Sequence, residues 1–174
     1  MNSIIKNIKF EIAHEAFKRH LIEESNGAPF VNFKHQFLVK YEIAYKWAVY
    51  HNASACLNYE KWNLWRRSPG KIIDAVKHAC RESKNLLDHK YGPHHYSESA
   101  LYKINSPHHI QEMERILYDF FNTGENNSDE FGNVFDELAK FLRENKLGCK
   151  WDFLAYLAFL ASPEQYLSDL RNEY

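Results

Sequence analysis

Apolar side chains recur along this chain at intervals of three and four, the spacing that lines one face of an α-helix. No useful run shows the strict alternation of a half-buried strand. Over 4–24, Phe10, Ala13, Phe17 and Leu21 make one stripe, leaving Lys9, Glu11 and Lys18 for water. Ser25-Asn26-Gly27-Ala28-Pro29 ends this element, because Gly27 tolerates a left-handed end and Pro29 cannot extend the amide ladder. A second helix is expected over 34–56, striped by Phe37, Tyr41, Ala44 and Ala48 and free of Gly and Pro.

Three later boundaries share a device. Ser68-Pro69, Ser106-Pro107 and Ser162-Pro163 each put a hydroxyl acceptor at an expected N-cap and a proline, with its preset φ, at the first helical position. They predict helices over 69–83, 107–121 and 163–170, the last with Gln165 placed to complete a capping box. In the middle helix Ile110, Met113, Leu117 and Phe120 form the apolar face. A helix over 129–144 buries Phe131, Phe135, Leu138 and Leu142, with Val134 and Phe141 widening the stripe. TGENNS at 123–128 and YGPHHYSES at 91–99 read as polar surface loops.

FLAYLAFLA, over 153–161, is apolar all round, so it is expected to be covered on more than one side. It is far shorter than the roughly 20 residues of a membrane-spanning helix. The expectation is therefore an all-α, single compact domain over 1–174, with about seven helices around this buried C-terminal-region helix. A face of 153–161 left uncovered is the alternative, and it would make a homo-oligomer contact.

Composition supports a packed protein, since twelve Phe, eleven Tyr and four Trp supply large apolar areas for a core. A formal net charge of −1 gives no global pull toward nucleic acid or an anionic membrane. Charge is segregated, however. Residues 60–90 carry eight Lys or Arg against four Asp or Glu, whereas 110–145 carry three against nine. These segments either pair with each other or form opposed surface patches. Cys56, Cys80 and Cys149 are odd in number and far apart, which points to a reducing, cytoplasmic setting. MNSIIKNIKF lacks the apolar core and small-residue cleavage site of a secretory leader, so none is expected.

YEKWNLWRRSPGK, over 59–71, is the first candidate site. Arg66, Arg67 and Lys71 place positive charge beside Trp62 and Trp65, and the amides after Ser68 could receive an anion at a helix start. An exposed Trp could stack on a base. Equally, the two indoles three residues apart could anchor the segment to the core, leaving the cations solvated.

The histidines His89, His94, His95, His108 and His109, with Glu112 and Asp88 nearby in sequence, form the second candidate. His108 and His109 stand four and three residues before Glu112, a spacing that puts imidazole and carboxylate on one helical face, and a loop histidine could complete a metal shell. HExxH, HxxEH and paired CxxC patterns are absent, and histidines also serve as caps and surface groups. No GxSxG elbow, GxxxxGK loop or dinucleotide fingerprint occurs either.

The sequence therefore reads first as a helical protein-interaction or regulatory module without catalytic activity or cofactor. Its partner is expected to be another protein, not a membrane. The alternatives are a nucleic-acid or phosphate-binding protein using the Trp/Arg segment, and a metal-assisted hydrolase using the histidine cluster.

Overall fold

A computed structural model describes residues 2–32, 35–124 and 128–163, with side chains over 10–32, 35–124 and 130–163. The expected helix over 163–170, with Gln165, lies outside the described residues but for its first position. The protein is all-α: among the described residues every regular element is helical. In chain order these are α1 (Asn2–Glu24), α2 (Gln36–Leu38), a π-helical turn (Val39–Ile43), α3 (Ala44–Leu57), a 3-10 turn (Tyr59–Lys61), α4 (Trp62–Trp65), α5 (Lys71–Arg81), α6 (Ala100–Lys103), α7 (Pro107–Gly124), α8 (Ser128–Glu144) and α9 (Trp151–Ala161). They group into two compact units, one built on Met1–Trp47 and one on Ala48–Ser168.

In the Met1–Trp47 unit, α1 ends as its glycine predicts. Gly27 adopts φ +98° and its amide donates to the Ile22 carbonyl at 2.9 Å. Ring Nδ1 of His35 caps α2 by accepting from the Phe37 amide, while Nε2 lies 3.0 Å from the Ala28 carbonyl oxygen. Of the α1 stripe only Leu21 is buried; Phe17 packs edge-on against Phe30, and Phe10 and Ala13 stay exposed.

The expected second helix is interrupted by the π turn, and that turn moves its apolar face. A π segment takes up more residues per turn than an α-helix, so the positions that follow are rotated. Val49, Ala53 and Leu57 are buried, while Tyr41, Ala44 and Ala48 are exposed.

The Ala48–Ser168 unit holds a large apolar core. Helix α7 packs against α5, α8 and α9, and α8 also meets α9. Every residue of α9 from Tyr156 to Ala161 is buried, as the all-round apolar run requires, and the Tyr156 hydroxyl donates to the Ala79 carbonyl at 2.9 Å. Helix α7 meets the end of α9 at Gly124, where a Cβ would lie 2.8 Å from that of Ala161. The Ser162 hydroxyl donates to the Gly124 carbonyl at the same crossing.

Ser106 caps α7 as expected, accepting from the His109 amide at 3.3 Å. Ser68 does not cap α5. Gly70, at φ +95°, precedes a helix that begins at Lys71, so the serine stands too early. The segment 91–99 also differs from a simple surface loop. Tyr91, His94 and His95 are exposed, but Ser97, Glu98 and Ser99 are buried. Ser97 accepts from the Asp88 amide at 2.8 Å and donates to Asp152, and Lys150 donates to the His95 carbonyl at 2.6 Å.

Candidate functional site

The turn leading into α5 and the exposed side of α7 form a concavity with a largely polar set of lining residues. An open cleft of about 380 Å³ is lined by Arg66, His108, Gln111, Glu112, Glu114 and Arg115. His108, Gln111, Glu112 and Arg115 recur at helical spacing on one face of α7, which is why they share a wall. Arg66 comes from the opposite side, its guanidinium 4.7 Å from the ring centre of Tyr118. One residue of the basic segment and two of the histidine group thus meet in one place.

Glu114 is buried, and its Oε1 accepts from the amides of Ile72 at 2.7 Å and Ile73 at 3.2 Å. Those are the amides at the start of α5 that an external anion would need. The protein fills that position with its own carboxylate, favoured there by the positive end of the helix dipole. Arg115 is engaged on three sides: bidentate with Glu112 at 2.9 and 3.2 Å, with Asp119 at 2.8 Å, and with Glu137 of α8. Hydrogen bonding to Arg115 holds the Glu112 carboxyl below the usual carboxylate range, and the guanidinium itself is pushed further up.

Of the basic aromatic segment, Trp62 is fully buried and its indole Nε1 donates to the Leu57 carbonyl at 2.7 Å, so it presents no face to a base. Trp65 is half-buried. Arg66, Arg67 and Lys71 are exposed. The histidines are divided. His94 and His95 lie on the exposed turn before Ser97, while the His109 ring leans on Phe141 at 6.2 Å and His108 lines the cleft. Among the described residues no three His, Cys, Asp or Glu side chains are grouped so as to hold a metal ion.

A second polar cluster joins His89, one of the candidate histidines, to a carboxylate that the sequence does not single out. Glu98 is wholly buried and its Oε1 lies 3.1 Å from Nε2 of half-buried His89, whose ring also packs against Tyr96. Burial above all, with a lesser contribution from Glu98, pushes the Cys80 thiol well up, which leaves it a poor nucleophile. The apolar-free run Ser97-Glu98-Ser99 gave no signal of burial. Glu114 was equally silent, because its amide partners are 41 and 42 residues away in sequence.

No described helix is long and apolar enough to cross a membrane. Compared with protein-family models, curated proteins and solved structures, the chain matches none.

Proposed function

We propose that this protein is a helical interaction module whose first helix, α1, is a contact surface for another protein. One observation carries the reading: α1 runs for 23 residues, yet of its described side chains only Leu21 is buried. Isolated helices gain little from propensity alone and take most of their stability from a packed face. Phe10 and Ile12, each about two-thirds exposed, and Val31 at 80% exposure leave apolar area in water that a partner would cover.

Site-specific photo-crosslinking in cells tests this. A photoreactive residue at position 10, 12 or 31 should yield one discrete protein adduct, and the same residue at exposed Lys140 on α8 should not. Equal, diffuse labelling from all four positions would sink the reading.

A further inference from the structure

The exposed turn at α4 and the start of α5 carry an apolar side chain, Leu64, and three exposed cations, Lys61, Arg67 and Lys71. Backbone bonds run continuously through it: Lys61 to Asn58, Arg66 to Trp62, Arg67 to Leu64 and Ser68 to Trp65. Lys61, Leu64 and Arg67 therefore recur at intervals of three and share the side away from buried Trp62. Leu64 is 72% exposed, and Lys71 is exposed two residues after Pro69. Among the described residues no carboxylate lies within ion-pair distance of Lys61, Arg67 or Lys71. Glu60 is the single acid among 59–73, against four cations.

Helix stability does not account for these charges. Lys71 sits in the first turn of α5, where the dipole disfavours a cation. The carboxylates gathered between α7 and α8 do not absorb them either, since Glu112, Asp119 and Glu137 pair with Arg115, and Glu114 accepts from the α5 amides.

Resting on the interaction-module reading, we infer that the Lys61–Leu64–Arg67–Lys71 surface docks an acidic amphipathic segment of a partner protein. Leu64 enters the apolar stripe of that segment, and the cations pair with its flanking carboxylates. A polynucleotide fits less well: Trp62 is inside, the α5 amides are occupied, and an exposed leucine has no work on a phosphate backbone.

Binding of the full chain would be measured by fluorescence anisotropy with two probes. One is a labelled Leu/Glu peptide of about 20 residues with apolar positions at helical spacing, and the other is an oligothymidylate of similar length. Titrations run at about 50 and about 300 mM salt. The peptide should bind more tightly than the oligonucleotide. Leu64→Ser should weaken the peptide roughly tenfold or more at both salts. The triple variant Lys61→Gln, Arg67→Gln, Lys71→Gln should flatten the salt dependence. Unchanged circular dichroism and melting would show that these exposed substitutions leave the fold intact.

No peptide binding at low salt overturns the inference, as does binding that neither variant weakens. Tighter oligonucleotide binding, lost in the triple variant but not with Leu64→Ser, overturns it in favour of a nucleic-acid surface. Crosslinks from positions 10, 12 and 31 without peptide binding would reject this surface alone. Peptide binding without those crosslinks would reject only the role of α1 and the segment after it.

Discussion

Two amides at the start of α5 point at one oxygen of Glu114, so a single side chain on α7 completes the cap that Ser68 stands too early to supply. Removing it would strand buried donors, which costs about 1–3 kcal/mol for such groups. Glu114→Ala should therefore destabilise the protein by about that amount in equilibrium urea denaturation. Glu114→Gln keeps a carbonyl acceptor but loses the charge assistance, and it should fall between wild type and alanine. Changes below about 0.5 kcal/mol for both would mean that the α5 start does not depend on this contact. Glu98 is a different kind of buried carboxylate. Among the described residues its oxygens meet no hydrogen-bond donor apart from the His89 contact, so a single imidazole is the polar group that faces it.

Each helix records how much of its environment is local. Ser106 caps α7 because the cap and its amide are three residues apart, and such a relation is visible in the sequence. The face of α3 was not visible, since the π turn that rotates it leaves no mark in the apolar spacing. The buried character of α9 was legible because an all-round apolar run admits no other environment. The cleft was legible only in its parts. Arg66, His108 and Glu112 stand out as residue types, but their convergence depends on how the turn before α5 lies against α7. The crossing of α7 and α9 is also tertiary, and it makes a testable demand on Gly124. A methyl group there would overlap Ala161, whose backbone oxygen at 3.1 Å leaves little room to shift. Gly124→Ala should thus cost about 1–3 kcal/mol as an overpacked contact, outweighing the usual helical gain from replacing glycine. Thermal melting of the variant at or above the wild-type midpoint would show that the two helices separate easily.

Across the whole molecule, the opposed charge blocks are used in different ways. The net charge of −1 hides an acidic pair of helices, three of whose carboxylates gather around Arg115, and a basic turn whose cations remain in water. Hydrogen bonding to Arg115 depresses the Glu112 carboxyl in the folded state. A group of that kind contributes stability above its ordinary, unfolded value, and the contribution is lost as pH falls through the depressed folded value. The window therefore opens near pH 4.5, the usual value for this carboxyl, and extends downward. Side chains in the network are roughly two-fifths exposed, so solvent screening keeps the total to about 1 kcal/mol. Arg115→Met would leave Glu112, Asp119 and Glu137 to repel one another at neutral pH and relieve that repulsion on protonation. Urea midpoints at pH 7 and about pH 3 should consequently differ less in the variant than in wild type. An identical acid-induced shift in both proteins would show that Arg115 does not couple α7 to α8 electrostatically. It would also reopen the carboxylates of these helices as partners for the cations around Leu64.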